Sequence, residues 1–316
     1  MIEKITRRKF IEQTAKIALT SGAVAASSQL LRADENYPPL TPPKRGKNSE
    51  IIVARRNTPS ETVKAAIEAF GGLSSIMKPK DTVLLKPNIS FPNPPQWATT
   101  TNPELISTMA KLCLEAGASR VIIADHPLRD PQKCLERTGI AEACKDIDGV
   151  HIKLLTEDRD YKSIEVNGEE LKSAEVARLA LKADLIINMP VAKSHSATTV
   201  SFSMKNMMGL VWDRVKFHQG NIHQAVAELN TVVKPELIIL DATRILLTKG
   251  PDGPGEVEEL NSVIIGTDPV AIDSYAVNLA RWNNRKLEPE NVDYIRIAAK
   301  LGLGEMDISK VSIREV

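Results

Sequence analysis

The chain has 316 residues, of which 42% are hydrophobic and 26% are charged, a composition typical of a soluble globular protein with one large domain or two smaller ones. The formal net charge of +1 argues against nucleic acid as a partner, because nucleic-acid-binding surfaces carry an excess of Lys and Arg. No apolar run after the N-terminal region is long enough to span a membrane, so we expect no stable membrane span there.

The first 33 residues have the order of regions found in an export signal. The pair Arg7-Arg8 precedes an uncharged stretch, residues 17–31, that is rich in Ala, Ser and Gly, and the small residue Ala33 follows. This order is typical of a signal peptide, and the paired arginines resemble a twin-arginine signal. We therefore expect the twin-arginine translocase as a partner, cleavage near Ala33, and a periplasmic or extracellular location. The alternative is an N-terminal amphipathic helix with an accidental Arg-Arg pair.

The rest of the chain is predicted to be a Pro-rich linker, residues 34–49, and a single α/β domain, residues 50–316. Strand-like and helix-like segments alternate in that domain, which predicts a mainly parallel, Rossmann-like sheet with helices on both faces. Strands are predicted at 51–54, 82–85, 121–124, 184–188, 237–240 and 262–265, and helices at 60–69, 103–116, 131–145, 174–181, 221–233 and from 269 onward. A small β-hairpin insertion is predicted between residues 163 and 171, because Asn167-Gly168 is a strong two-residue turn signal.

The stretch from Asn188 to Asp213 is a long connection that is rich in reactive side chains. It contains two lysines, a histidine and two asparagines after the predicted strand at 184–188. Connections between a strand and a helix usually need about 2 to 6 residues, so this length predicts a functional loop. The alternative is a Met-rich turn that packs onto the sheet and leaves its polar groups in solvent.

Polar side chains follow the ends of five predicted strands. The five groups are Lys86 with Asn88, Asp125 with His126, Asn188 with Lys193, Asp241 with Arg244, and Thr267 with Asp268. The carboxyl ends of parallel strands share one edge of a sheet, and ligands of open α/β folds bind there, so we expect these side chains to meet in one crevice. The alternative is that Asp and Asn serve here as turn and cap residues, as we expect for Asp268 before Pro269.

The lysines near this edge would favour a small anionic molecule, such as a carboxylate or a phosphate. The predicted ligand-binding residues are Lys86, Asn88, Asn188, Lys193, Asn206 and Asp241, and the candidate catalytic residues are His195, His126 and Lys205. Either histidine could act as a general base or as a metal ligand, so a metal cofactor stays open. A serine hydrolase also stays open, although the chain has no Gly-x-Ser-x-Gly motif; the serines near His195 are Ser194, Ser196, Ser201 and Ser203.

The cysteines, the pair His218 and His223, and the Gly-rich segment match no known cofactor-binding or catalytic motif. Cys113, Cys134 and Cys144 are too few and too widely spaced to hold an iron–sulfur cluster by themselves. Cys113 is expected to pack as a small hydrophobe, and a bridge between the other two cysteines is open but not predicted. The pair His218 and His223 fits no zinc-protease motif. The Gly-rich segment 250–255 matches no nucleotide-binding motif and is expected to be an exposed turn.

Five segments of the chain resemble the bacterial and archaeal family named domain of unknown function 362 (DUF362). They are Leu84 to Asn88, Thr101 to Leu105, Asn188 to His195, Met204 to Gly209, and Val263 to Asp273. The resemblance spans roughly residues 51–300 and implies little chemistry, because it carries no established activity. Many members have a ferredoxin-like module with close cysteine repeats; this chain lacks those repeats, so iron–sulfur binding is not implied.

A more distant resemblance links the chain to the nickel-pincer lactate racemase family, which pairs a Rossmann-like catalytic domain with an organonickel cofactor. His126, His195 and Lys205 match the two histidines and the lysine of that family, and Lys205 follows His195 by ten positions, as in the family. The family's Asp-x-Thr-Arg-Pro motif is replaced near Lys86, and Asp241-Ala-Thr-Arg stands in a different region. This resemblance implies a racemase-like enzyme with a metal cofactor.

The sequence therefore predicts an exported α/β protein whose strand-end crevice binds a small anion or a metal cofactor. Two classes of function follow. The first is an enzyme that uses His195 or His126 as acid or base, with lysines that stabilise negative charge on the ligand. The second is a non-catalytic periplasmic binding or cofactor-assembly protein that uses the same crevice.

Overall fold

The computed structural model describes residues 49–316. The predicted signal peptide and nearly all of the predicted linker lie outside the described residues. The strands are β1 (Glu50–Arg55), β2 (Thr82–Pro87), β3 (Arg120–Asp125), β4 (Val150–Leu154), β5 (Tyr161–Glu165), β6 (Ser173–Ala177), β7 (Leu185–Met189), β8 (Val191–His195), β9 (Thr199–Ser201), β10 (Leu237–Leu246), β11 (Val257–Glu258), β12 (Ser262–Gly266) and β13 (Ser312–Glu315). Eleven of these strands form one sheet, and β5 and β6 form a second sheet of two strands.

The helices alternate with these strands along much of the chain. They are α1 (Pro59–Phe70), α2 (Pro103–Glu115), α3 (Pro131–Arg137), α4 (Ile140–Cys144), α5 (Arg178–Lys182), α6 (Ser203–Asn206), α7 (Val215–Gln219), α8 (Ile222–Val232), α9 (Pro269–Val277) and α10 (Asp293–Lys300). Short 3₁₀ helices lie at Leu73–Ser75, Pro95–Trp97, Asp158–Asp160, Met207–Leu210, Pro289–Asn291 and Ile308–Lys310. None of the helices in residues 49–316 is long and apolar enough to cross a membrane.

The main sheet has the spatial order β13-β1-β12-β10-β7-β2-β3-β4. The five neighbours from β10 to β4 run parallel to one another, whereas β12 is antiparallel to both β10 and β1. The shorter strands β8 and β11 also pair with β10, and β9 pairs with β8. The predicted mainly parallel α/β sheet is thereby confirmed.

Alternate residues of the central strands pack into two separate cores, one on each face of the sheet. In β2, Val83 and Leu85 belong to the core beneath α1 and α2, whereas Leu84 belongs to the core beneath α8, α9 and α10. Because both faces are covered, the strands read as continuous apolar runs, as is usual for parallel sheets. The prediction of helices on both faces is confirmed.

The predicted hairpin is present, but the segment after it was assigned wrongly. Strands β5 and β6 pair antiparallel, and Asn167 in the turn has a φ of 57°, which Asn tolerates well. The helix predicted at 174–181 is instead β6 followed by the short α5. Ala174 and Val176 are buried at alternate positions, as in a strand with one buried face. Pairing with β5 provides hydrogen-bond partners for the backbone of this segment. A short apolar run by itself does not distinguish a strand from a helix.

The order of strands corrects two further predictions. Because β12 is antiparallel, Thr267 and Asp268 lie at the opposite edge of the sheet from the ends of β2 and β3. Asp268 caps α9, as expected, by accepting from the backbone N–H groups of Val270 and Ala271. Strand β10 continues to Leu246, so Asp241 and Arg244 lie within a strand rather than beyond its end.

The long connection from Asn188 to Asp213 is largely ordered secondary structure rather than an open loop. It contains β8, β9, α6 and the 3₁₀ helix Met207–Leu210. Pairing of β8 with β10 and β9 attaches this segment to the main sheet. The methionines at 204, 207 and 208 are buried, as the packing alternative proposed, while the polar side chains between them converge beside the ends of β2 and β3.

Candidate functional site

A cavity of about 210 Å³ lies where β2 and β3 end, beside β8, β9 and α6. Five of the residues predicted for the site line it: Asn88, Lys193, His195, Lys205 and Asn206. Asp125, one of the strand-end residues expected to meet in one crevice, also lines it. Lining residues that the sequence reasoning did not place in the site are Ser90, Phe91, Leu128, Ser201, Met208, Gly209, Arg214, Val215, His218 and Pro251. The long connection thus supplies one wall and the ends of two parallel strands supply the other.

Lys86 lies beneath the cavity in a fully paired environment. Its ammonium forms a 2.8 Å ion pair with Asp125 and donates to the backbone carbonyl of Pro87 at 2.6 Å and to Asn206 Oδ1 at 3.2 Å. The side chains of Lys86 and Asp125 are both completely buried. Desolvation of two charges is costly, and these contacts offset it, so the pair forms a closed unit of the floor.

Asn206 connects the floor of the cavity to its walls. Its Oδ1 accepts from Lys86 and from Asn88 Nδ2 at 3.1 Å, and its Nδ2 donates to Asn188 Oδ1 at 2.8 Å and to the carbonyl oxygen of Lys86 at 3.1 Å. Both ends of the amide are therefore used, which fixes its orientation. Asn188 does not line the cavity; it supports Asn206 and donates to the carbonyl of Ser203 at 2.9 Å.

Gly209 has no side chain because the floor leaves no room for one. A Cβ atom at this position would lie 1.9 Å from Asp125 Oδ1 and 2.7 Å from Lys86 Nζ. Its carbonyl accepts from the backbone N–H of His126 at 3.0 Å, which holds this turn against the end of β3. The backbone of the long connection thus lies directly on the buried ion pair.

Lys193 reaches the cavity from β8 and is held by two acceptors. Its ammonium donates to the carbonyl of Thr99 at 2.6 Å and to Asn88 Oδ1 at 3.3 Å, and it lies 5.0 Å from the centre of the Phe91 ring. No carboxylate contacts it within residues 49–316. Burial, with the positive charge of Lys205, lowers the pKa of Lys193 to about 7.

Lys205 projects from α6 and is the least satisfied of the three lysines. It makes no hydrogen bond or ion pair with any residue in the described part of the chain. Burial, with the positive charge of Arg214, lowers the pKa of Lys205 to about 7. An amine in this state is protonated only in part at neutral pH, and an anionic ligand would favour its charged form.

His195 is neutral because of its surroundings. Its Nδ1 accepts from the backbone N–H groups of Ala197 at 3.0 Å and Thr198 at 3.3 Å, which leaves the proton on Nε2. Burial and the positive charges of Lys205 and Lys193 lower the pKa of His195 to about 2. In this geometry the ring can donate a hydrogen bond but is a poor base at neutral pH.

Arg214 and His218 were missed by the sequence reasoning. Arg214 donates to the carbonyls of His126 at 2.8 Å and Pro127 at 3.0 Å, so its guanidinium is fixed beside the cavity without a carboxylate partner. Arg214 directly follows the long connection from Asn188 to Asp213, and this adjacency is the one weak signal in the sequence for its place in the site. His218 lies on α7, and no local pattern indicates that this short helix returns to the strand ends.

Besides Lys86 and Asn188, two more residues predicted for the site, His126 and Asp241, do not line the cavity. His126 stacks on Trp212 with ring centres 5.3 Å apart, and its Nδ1 lies 3.0 Å from the carbonyl of Val211. Asp241 is fully buried and accepts from the backbone N–H of Asn102 at 2.8 Å and from Arg244 at 2.9 Å. Their proposed roles in ligand binding remain predictions, but their contacts are those of packing residues.

The side chains do not fit a nickel cofactor of the kind implied by the distant resemblance. His126 lies outside the cavity, and the unprotonated nitrogen of His195, which a metal would need, is occupied by backbone N–H groups. Within residues 49–316, no three His, Cys, Asp or Glu side chains cluster closely enough to hold a metal ion. Cys113, Cys134 and Cys144 are buried and unbonded.

The chain is similar to three known proteins. The chain is 26% identical over 259 residues to a thylakoid-associated protein of Synechocystis, a match that covers 77% of this chain and 74% of that protein. The lactate racemase apoprotein of Thermoanaerobacterium thermosaccharolyticum is similar with a TM-score of 0.48 and 13% identity over 71% of this chain. A Thermotoga maritima protein is similar with a TM-score of 0.43 and 12% identity over 76% of this chain. The chain spans only 55% and 59% of these two solved chains.

The family match covers the strands and helices that build the cavity. Residues 83–278, which are more than half of the chain, match the family described as Domain of unknown function (DUF362). This range begins in β2 and ends just after α9, so it includes every residue that lines the cavity. The chain therefore belongs to the DUF362 family.

Proposed function

We propose that the cavity binds a small organic anion through Lys193, Lys205 and Arg214. The observation that carries this proposal is a surplus of positive charge, because these three cations line the cavity and the only acidic side chain among the lining residues is Asp125. Asp125 is already paired with Lys86 at 2.8 Å. An anionic ligand would supply the missing negative charge beside cations that are buried or partly buried, where solvent screens charge less than at an exposed surface.

The apolar part of the lining supports an organic anion over an inorganic one. Leu128 and Val215 are 50% and 64% exposed, the two highest values among the exposed large hydrophobic residues of the described chain, and both line the cavity. Phe91 and Met208 line it at buried positions. Ligand sites commonly combine an apolar lining with a few charged groups, so a short-chain carboxylate suits this arrangement.

The pKa values of the lysines make a pH dependence part of the proposal. Lys193 and Lys205 have pKa values lowered to about 7, and a bound anion would stabilise their charged forms. Ligand binding therefore takes up protons when the free site is partly neutral. Affinity for the anion is expected to be greatest below pH 7 and to fall as the pH rises through that value.

Calorimetric titration with butyrate and with inorganic phosphate tests the proposal. Butyrate is expected to bind more tightly than phosphate, and Lys193→Met or Lys205→Met is expected to weaken butyrate binding at least about tenfold, a cost of about 1.4 kcal/mol. Lys64→Met, on the exposed face of α1, is the matched control and should leave affinity unchanged. Equal binding by the wild type and both cavity variants would contradict the proposal.

A non-catalytic binding role is the second candidate function, and the state of His195 favours it. The ring stays neutral at physiological pH, and its acceptor nitrogen is already occupied, so it does not provide a general base. An enzyme that depends on His195 as a base would lose activity in His195→Asn. A binding protein would keep its affinity for butyrate within about threefold, because the cations are retained.

We also propose that the chain is exported by the twin-arginine translocase, on the strength of Arg7-Arg8 and the regions that follow them. This signal would place the cavity in the periplasm or outside the cell. N-terminal sequencing of the protein from its native host should find a start near residue 34. A cytoplasmic product that still begins at Met1 would contradict export.

A further inference from the structure

We propose that Lys205 forms a covalent imine with a ligand that carries a carbonyl group next to its carboxylate, an inference that rests on the proposed anion site. The ligand class is therefore narrowed from short-chain carboxylates to 2-oxo acids and related aldehyde acids. Lys205 would be the nucleophile, and the other cations of the cavity would hold the carboxylate. The three lysines of this site differ in the acceptors that surround their nitrogen atoms.

The nitrogen atoms of Lys86 and Lys193 are held in place by acceptors. The ammonium of Lys86 contacts Asp125, the carbonyl of Pro87 and Asn206 Oδ1 at 2.6 to 3.2 Å. The ammonium of Lys193 contacts the carbonyl of Thr99 and Asn88 Oδ1. Each acceptor uses an N–H and fixes the position of the nitrogen, so these two amines are less free than Lys205 to reach a carbonyl carbon.

Lys205 has none of these acceptors, although it lines the same cavity. The ionisable groups that interact with it electrostatically are Arg214, Lys193, His195, His218 and His223. None of them is a carboxylate. A partly desolvated amine beside other cations is the arrangement that activates lysine as a nucleophile, and its pKa near 7 leaves much of it unprotonated at neutral pH.

A 2-oxo acid fits this arrangement because its carboxylate and its carbonyl carbon are directly bonded. Lys193, Arg214 and Lys205 line the same cavity of about 210 Å³, so a carboxylate held by the first two cations would leave the adjacent carbonyl carbon inside the cavity that Lys205 also lines. The apolar residues Leu128 and Val215 would contact the rest of a short chain. An ordinary carboxylate would bind in the same place but could not react.

The reaction is balanced without an oxidant or a reductant. The lone pair of Lys205 Nζ forms a bond to the carbonyl carbon, and the C=O π electrons move to the oxygen, which takes up a proton to give a carbinolamine. The nitrogen loses its protons to solvent or to the leaving oxygen. The original carbonyl oxygen departs as water, and a C=N bond remains. The net change is amine plus carbonyl to imine plus water.

Reductive trapping tests the proposal in the intact protein. The wild type is incubated at pH 7 with 2-oxobutyrate, or with glyoxylate as a less hindered probe, and cyanoborohydride reduces any imine to a stable secondary amine. Peptide mass spectrometry then locates the adduct. We expect labelling at Lys205 at pH 7 to be at least tenfold faster than at the exposed Lys64.

Two variants and one ligand keep this result interpretable. Lys205→Arg should lose the adduct, whereas Lys64→Arg, at an exposed position on α1, should leave both butyrate binding and the adduct at Lys205 unchanged. Butyrate, which lacks the carbonyl, should compete with 2-oxobutyrate and slow the labelling of the wild type. If the probes bind but label Lys205 no faster than Lys64, the imine is excluded while the anion site stands. If neither butyrate nor the oxo acids bind the wild type, the anion site and the imine fail together.

Discussion

Two clusters of buried polar side chains lie along the same side of the main sheet, and they differ in how completely they are paired. In the cluster around Asp241, the carboxylate accepts from Asn102, Thr243 and Arg244, and Arg244 donates in turn to the carbonyls of Pro95 and Thr100. In the cavity, Lys205 has no acceptor within the described residues. The first cluster is complete by itself, whereas the second leaves positive charge for a ligand to neutralise.

The difference shows that polar composition alone does not identify a ligand site. Both clusters contain a basic side chain, a carboxylate and an amide near the end of the parallel strands, and the sequence ranked both as ligand-binding. What separates them is the balance of donors and acceptors, because a satisfied cluster gains nothing from a ligand. The contrast can be tested by removing one partner from each cluster.

The largest effect is expected for Asp241→Asn. This change leaves the guanidinium of Arg244, whose side chain is only 9% exposed, without its counter-charge, and it points an amide at backbone N–H donors. We expect the free energy of unfolding in urea to fall by about 3–5 kcal/mol, as for other broken buried ion pairs. Ligand affinity of the folded protein should be unchanged.

A matched control for Asp241→Asn is available at the surface. Asp252 pairs with Arg129 at 3.4 Å, and their side chains are 46% and 60% exposed. Asp252→Asn should cost less than about 1 kcal/mol, because solvent screens this pair. A similar loss for both variants would show that the Asp241 cluster is no more structural than a surface ion pair.

A smaller effect, with a defined pH window, is expected for Lys205→Met. The folded-state pKa of Lys205 is about 7 and the ordinary value is 10.5, so the unfolded chain binds more protons between these limits. The stability of the wild type should therefore rise with pH from 7 to about 10, by at most about 1.4 kcal/mol per pH unit for this residue. In Lys205→Met, the free energy of unfolding should rise less steeply with pH, because the contribution of Lys205 is absent.

Urea unfolding at half-unit pH intervals measures this slope directly. Lys193, whose pKa is also lowered to about 7, should contribute in the same direction, so Lys193→Met reduces the slope as well. Lys64→Met should follow the wild-type curve, since that side chain is exposed. Identical slopes in the wild type and Lys205→Met would show that Lys205 is charged and paired in solution, unlike the arrangement described above.

The smallest effect is expected at the rim of the cavity, for Val215→Ser. Val215 is 64% exposed, so the free energy of unfolding should change by less than about 0.5 kcal/mol. Affinity for butyrate should fall about two- to fivefold, because roughly one apolar contact is lost, while affinity for formate should not change. Titration of the two carboxylates in parallel checks both expectations, and a parallel loss for formate would assign the effect to charge rather than to apolar contact.

The overall fold was predictable because its signals are local. The apolar runs from Thr82, Arg120 and Leu185 and the capping pattern at Asn102 each correspond to one element of the structure. The direction of β12 was not predictable, because an apolar run reads the same in either orientation and only its pairing with β1 and β10 decides it. That single orientation removes Thr267 and Asp268 from the edge where the cavity lies.

The sequence allowed us to predict which lysines reach the candidate site, but not which acceptors and charges surround each of them. Lys193 and Lys205 lie in one conspicuous stretch, and both reach the cavity. The separation of Lys205 from acceptors in residues 49–316 depends on how α6 packs against β7, α8 and α9, and no local sequence pattern predicts that packing. Arg214 and His218 belong to a segment with no recognisable pattern of its own, so their place in the lining depends on tertiary contacts alone.

The bonds of Asn206 imply that most of this site is preorganised. Asn206 connects Lys86, Asn88 and Asn188, and the carbonyl of Thr99 holds Lys193, so these groups are already oriented before any ligand arrives. Ordering a long side chain on binding costs about 0.5–1.5 kcal/mol, and here that cost is largely limited to Lys205. Differences in affinity among anions should therefore report the shape and charge of the ligand rather than rearrangement of the protein.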